Sequence, residues 1–221
     1  VAAFVLIHMA CAGAWAWGRV PELLREAGHE VIAPDLDLSA GQTPDSHAAA
    51  VAALVSQTDD VVLAGHSYGG MVLPPLAELC SGRVQEMIVL DGYLPGDGES
   101  LFSMRPADVV ADRRAVAAAH GDGLWPPPPA SPGDPEWMRR LVPMPVSAFE
   151  GPVRVTTAVS SLPGTFIRCT RSDMGQEQAE RARRRGWRVI DVEATHFVPL
   201  TRPEVCARAL LASLRHDHPG R

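Results

Sequence analysis

Asp60 to Gly70, DVVLAGHSYGG, is the stretch on which the reading of this chain turns. Asp60 to Ala64 is a short apolar run with β-branched residues, the pattern of a strand buried on both faces. Gly65-His66-Ser67-Tyr68-Gly69 then matches G-x-S-x-G, and the residues from Tyr68 onward read as a helix. A strand, a tight turn and a helix are the setting this pattern needs. The glycines allow a turn sharp enough to lift Ser67 above the end of the strand. The helix start aims partial positive charge at any anion formed beside it. Pro74 and Pro75 are expected to shorten or kink that helix.

Working outward, Val1 to His8 (VAAFVLIH) reads as a central buried strand, and Trp15 to Ala27 has helical apolar spacing ahead of Gly28 at a C-cap position. Glu30 to Pro34 is a second short strand. Thr43-Pro44-Asp45 supplies an N-cap, a proline at the first helical position and an early acid for a helix reaching Val55. Downstream, Met87 to Leu90 is a strand, and the alternation then stops. Tyr93 to about Gly151 is rich in Pro, Gly and Trp, including WPPPPASPGDPEW from Trp125 to Trp137, and is too long for a plain connection. Thr165 to Cys169 and Trp187 to Val192 resume the strands, with helices over Gln176 to Arg185 and Pro203 to Leu214.

This order predicts an α/β fold with a mostly parallel sheet of about six strands and helices on both faces. The core is read as residues 1–92 and 152–214, interrupted by a small cap over 93–151 and followed by a tail over 215–221. Ligands in such sheets bind at the carboxyl ends of the strands, so the cap is expected over that edge.

A serine hydroxyl needs a base within hydrogen-bond reach, and the base needs an orienting carboxylate. His196, between the last strand and the last helix, lies on the same sheet edge as Ser67. Asp173, after the strand Thr165 to Cys169, is taken as the acid, with Asp91, one strand earlier, as the alternative. Backbone N–H groups of Tyr68 and of Ala10, in the loop after the first strand, are the expected oxyanion donors.

Composition removes several competing classes. Hydrophobic residues are 46% and charged residues 21% of 221 positions, as in globular proteins, and the net charge of −6 offers no footprint for a nucleic-acid backbone or an anionic bilayer. The sequence has no Lys, which removes Schiff-base chemistry. Its four cysteines, at 11, 80, 169 and 206, form no C-x-x-C pair, so neither zinc nor a disulfide scaffold is expected and a reducing cytoplasm is the simpler compartment. No apolar run approaches the length of a membrane span, and Val1 to Ile7 lacks a basic leader. The first βα turn, HMACAGAW, carries no dinucleotide fingerprint. The arginines at 181, 183, 184, 185 and 188 read as a solvated helix face, and His216-x-His218 lacks a third ligand. Trp125, Trp137, Phe149, Met104 and Met144 read equally well as cavity lining or as the cap's own core.

Together FVLIH-x-A-x-x-GAW-x-W (4–17), AGH (27–29), GHSYGG (65–70), LDGYLPGDGES (90–100), FIRCT (166–170) and THFVPLTRPE (195–204) resemble one branch of the α/β-hydrolase fold superfamily. That branch holds plant methyl-ester esterases, salicylate-binding esterase, hydroxynitrile lyases and actinobacterial relatives. The resemblance implies a Ser/His/Asp hydrolase with a small cap over a mainly apolar acyl or aromatic pocket and no cofactor. The chain departs from the pattern at three points. Met9 stands where the family has Gly or Thr and would crowd Ser67. Phe197 replaces the lyases' lysine after the histidine, which disfavours cyanohydrin cleavage. The family's acid directly after C-T-x would fall on Ser172, so Asp173 requires a one-residue shift. The leading expectation is hydrolysis of a small acyl ester or thioester through a Ser67 acyl-enzyme. The alternatives are acyl transfer from a carrier-protein thioester to an amine or alcohol in natural-product biosynthesis, and a non-hydrolytic lyase, cyclase or small-molecule binder.

Overall fold

The structure, a computed structural model, describes residues 1–214; the tail over 215–221 and His216-x-His218 lie outside the described residues. Strand β1 (Ala3–Ile7) is followed by a 3₁₀ turn (Ala14–Trp17) and helix α1 (Val20–Glu26). The single helix expected over 15–27 is therefore broken. Gly18 takes the left-handed φ of 53°, and α1 starts afresh with Pro21 in its first turn. Next come β2 (Glu30–Ile32), α2 (Pro44–Leu54), β3 (Val61–His66), α3 (Gly69–Leu79) and β4 (Val84–Leu90). The Thr43 side chain accepts from Ser46 N–H, and Ser46 accepts in return from Thr43 N–H, so a reciprocal cap starts α2. Helix α3 continues for a turn beyond Pro74 and Pro75, so the prolines do not shorten it as expected.

The six strands of the main sheet run β2-β1-β3-β4-β7-β8, where β7 is Gly164–Cys169 and β8 Arg188–Val192, and every neighbouring pair is parallel. Alternating side chains split the core in two. Phe4, Leu6, Val62, Ala64, Ile88 and Leu90 pack with Trp17 and Leu24 and with Leu210 of the closing helix. Val5, Ile7, Leu63 and Val89 face the other way, onto α2 and α3. A strand buried on both faces needs apolar residues at every position, which is why these strands read as unbroken runs.

The insertion carries a 3₁₀ turn (Phe102–Met104), α4 (Ala107–His120), a short antiparallel pair β5 (Leu124–Trp125) and β6 (Met144–Pro145), a second 3₁₀ turn (Glu136–Arg140) and α5 (Ser147–Glu150). Helix α4 was not legible as an element, because it buries only Val110 and Ala117 and so has little apolar periodicity. The returning chain lies beside the outgoing one. Gly98 N–H donates to Val153 O at 2.9 Å and Val153 N–H to Glu99 O at 2.9 Å. Helix α6 (Thr157–Ser160) precedes β7, and α7 (Gly175–Arg184), α8 (Val198–Thr201) and α9 (Pro203–Ser213) complete the core. The arginines in and just after α7 are only partly a solvated face: Arg181 pairs with Glu99, and Arg185 donates to Pro95 O. No helix among the described residues is long and apolar enough to cross a membrane, and all four cysteines are buried free thiols.

Candidate active site

The loops at the carboxyl ends of β1, β3, β4, β7 and β8 meet at one cavity, which Trp125, Leu141 and Phe149 of the insertion also line. Five non-glycine residues among those described have positive φ, and three lie directly on this edge: Cys11 (59°), Ser67 (55°) and Asp91 (39°). Each costs local backbone free energy that only the surrounding packing sustains, and such strain concentrates at functional sites. At Ser67 it forms the sharp elbow between β3 and α3. The elbow is held by Ser67 N–H donating to Leu90 O at 3.1 Å, and by Tyr93 N–H donating to Ser67 O at 3.1 Å.

Two glycines of the motif are required by close approach. A Cβ at Gly69 would overlap the Ile7 carbonyl, and one at Gly70 would overlap the Tyr93 carbonyl oxygen. Both obstacles are backbone atoms. Gly70→Ala is therefore expected to cost about 2 kcal/mol or more in stability, read from the denaturant midpoint. A midpoint equal to wild type would show that the elbow has slack.

Ser67, His196, Met9, Ala10, Tyr68 and Phe197 all line one cavity of about 240 Å³. The described residues include no hydrogen bond between the Ser67 hydroxyl and His196; such bonds often close only when substrate fills the site. The N–H groups of Ala10 and Tyr68 find no protein acceptor among the described residues. Met9 is 4% exposed, packs with Ala12, Ala16, Trp137, Leu141 and Phe197, and lines the same cavity as Ser67. Phe197 meets His196 edge-on with ring centroids 5.4 Å apart, and Trp137 backs Phe197 at 4.6 Å. Of the aromatic and Met residues left open by the sequence, Trp125 and Phe149 line the cavity, and Met144 is buried in the core.

The expected acid is corrected by the geometry. His196 Nδ1 donates to Asp91 Oδ2 at 2.7 Å, whereas Asp173 is exposed on the loop ahead of α7 and makes no bond to His196. Chain order alone could not separate the two, since both aspartates follow a strand and lie between Ser67 and His196. Asp91 is fully buried at the end of β4, and Cys169 N–H donates to its Oδ1 at 3.2 Å. Burial pushes its carboxyl up, but hydrogen bonds from His196, Ser172 and Cys169 outweigh burial and hold it below the usual carboxylate range. Ser172, at the position where the related pattern has its acid, thus supports the aspartate of the neighbouring strand.

Two further histidines position the loops and were not singled out from sequence. His66 Nε2 donates to His196 O at 2.8 Å, with the two rings 4.8 Å apart. Burial, together with the charge of His196, pushes its pKa down to about 3, so it stays neutral beside the site. His8 Nδ1 donates to Met9 O at 2.8 Å while its Nε2 accepts from Leu36 N–H at 3.0 Å, which fixes the loop that presents Ala10. The signal in both cases is a polar residue closing an otherwise apolar strand.

A model of the alpha/beta hydrolase family matches residues 4–209. The chain belongs to this family. The hydrolase is 27% identical to the carbendazim hydrolyzing esterase of Nocardioides sp. (strain SG-4G), over 96% of this chain and 99% of that one. Polyneuridine aldehyde esterase of Rauvolfia serpentina is 34% identical over 128 residues, 49% of this chain and 48% of its own. Among solved structures, an extracellular alpha/beta-hydrolase from a Paenibacillus species superposes with a TM-score of 0.87 at 22% identity, covering 98% of this chain and 100% of that one. That Paenibacillus protein shares structural and functional homology with tobacco salicylic acid binding protein 2.

Proposed function

We propose that this hydrolase cleaves a carboxylic ester through a covalent Ser67 acyl-enzyme. The observation that carries the reading is the placement of Ser67, on a strained elbow at a helix start, in the same cavity as a histidine whose far nitrogen is held by a buried carboxylate. The esterase names of its relatives support ester hydrolysis as the reaction class.

In this account His196 Nε2 takes the Ser67 proton as Oγ attacks the acyl carbonyl carbon. Asp91 keeps Nδ1–H in place and stabilises the imidazolium. The carbonyl oxygen, now negative, accepts from Ala10 and Tyr68 N–H. His196 then gives its proton to the departing alkoxide, and the acyl group remains on Oγ. A water, deprotonated by His196, attacks the acyl carbon and releases the acid and free Ser67. Buried thiols throughout the fold support a reducing cytoplasm as the working compartment.

The test supplies small methyl and aryl esters, with and without an added amine or alcohol acceptor, and identifies products by mass spectrometry. Free acid as the main product with either acceptor present is the expected result. Acylated acceptor in place of acid would support transfer, and a matching thioester on a carrier protein would then be the donor to try. No turnover of any ester would contradict the reading.

A further inference from the structure

We propose that Arg113 of the cap recognises an anionic group, a carboxylate, on the acyl side of the substrate, so that the preferred substrates are monoesters of dicarboxylic acids. This rests on the hydrolase reading of the same cavity and departs from the mainly apolar pocket that the family resemblance implies.

Arg113 lines the cavity that holds Ser67 and His196. Its guanidinium lies 4.8 Å from the centroid of Trp125 and 5.7 Å from that of Phe149, so its planar face is fixed by aromatic packing. No Asp or Glu lines the cavity, and Asp91 is sealed behind His196. Arg113 forms neither an ion pair nor a hydrogen bond among the described residues. Its chain neighbour Arg114 behaves differently, pairing with Glu150 at 2.8 Å on the outer side of the cap.

Asp112, the neighbouring residue, is the acidic charge acting on Arg113, but no carboxylate among the described residues touches its guanidinium, and a half-buried cation lacking a direct partner is costly unless an anion meets it. The surroundings deepen the positive field. Tyr93 lines the same cavity, and the charges of Arg105 and Arg113 pull against the rise that burial gives its phenol. Burial lowers the Arg113 pKa only from a value far above neutrality, so the side chain stays charged. A planar fork held on an aromatic face suits two-point recognition of a carboxylate.

The side of the cavity follows from the proton that His196 must deliver. In this account the leaving alkoxide sits beside His196, against Phe197, which also lines the cavity and is backed by Trp137. Arg113 is anchored instead to Trp125 and to Phe149, which meets Tyr68 edge-on at 6.2 Å. The anionic end of the acyl chain therefore points away from the leaving group, into the cap.

The test compares monomethyl adipate with its neutral isostere methyl adipamate. Wild type is expected to favour the monoanion about 10- to 100-fold in kcat/KM, the range for a charge-assisted hydrogen bond. Arg113→Met is expected to bring the two esters to near parity, with methyl adipamate turned over within about threefold of wild type, which also shows that the variant folds. Arg113→Lys, keeping the charge but not the fork, is expected to restore part of the preference. Equal rates in wild type, or a preference that survives Arg113→Met, would overturn the proposal while leaving the hydrolase reading intact. If neither ester is turned over, calorimetry with adipate decides. Binding to Ser67→Ala that is lost in Ser67→Ala/Arg113→Met supports the anion site even as the hydrolase reading fails, and no binding overturns it.

Discussion

Asp91→Asn is expected to lower kcat about 10⁴-fold, with KM for the same ester changed by no more than about threefold. The amide keeps the shape of the carboxylate but cannot hold His196 in the tautomer that leaves Nε2 free to accept, nor stabilise the imidazolium. The same carboxylate accepts from Cys169 N–H, and Ser172 supports it, so part of the geometry survives the change. Asp173→Asn is expected to stay within about twofold of wild type, as surface changes usually do. The pair of variants is decisive because the two aspartates are equivalent by chain order and differ only in where the fold puts them. Steady-state kinetics on one ester suffices. A large loss in Asp173→Asn with a silent Asp91→Asn would mean that the loop ahead of α7 rearranges to bring Asp173 onto His196.

Ser67→Ala is expected to abolish turnover more completely, by about 10⁴- to 10⁶-fold in kcat, while substrate binding is retained. The loss is large because no other side chain lining the cavity can replace the nucleophile. The lining carries no second serine and no threonine, and the Cys11 thiol, pushed up to about 12 by burial, is not a thiolate at neutral pH. Residual activity within about 100-fold of wild type would point to water attacking directly, without a covalent step. Binding and turnover that both survive would move the protein to the lyase, cyclase or binding class.

How much of this was legible without coordinates depended on which physical signal each part leaves in a sequence. Strands buried on both faces leave continuous apolar runs, so β1, β3 and β4 and their order could be read directly. Ser67 announced itself because a tight strand-to-helix turn needs small residues at fixed offsets, and His196 because it closes the last βα unit. The acid did not, since Asp91 and Asp173 satisfy the same order. Only the depth of Asp91 at the sheet edge and the outward turn of the 170–174 loop separate them. Helix α4 left almost no period because it covers the core with two small contacts, and Arg113 on it was invisible as a cavity residue for the same reason. His8 and His66 act through backbone carbonyls, which carry no residue-type signature.

The central claim is that Ser67 becomes acylated. Intact-mass measurement after brief mixing with an activated short-chain ester tests it most directly. Wild type is expected to gain the mass of one acyl group, mapped to Ser67 by peptide sequencing, and Ser67→Ala is expected to gain none. Slowed deacylation should lengthen the life of that adduct. Ester turnover by wild type with no adduct on the timescale of a single cycle, or equal labelling of Ser67→Ala, would contradict the account.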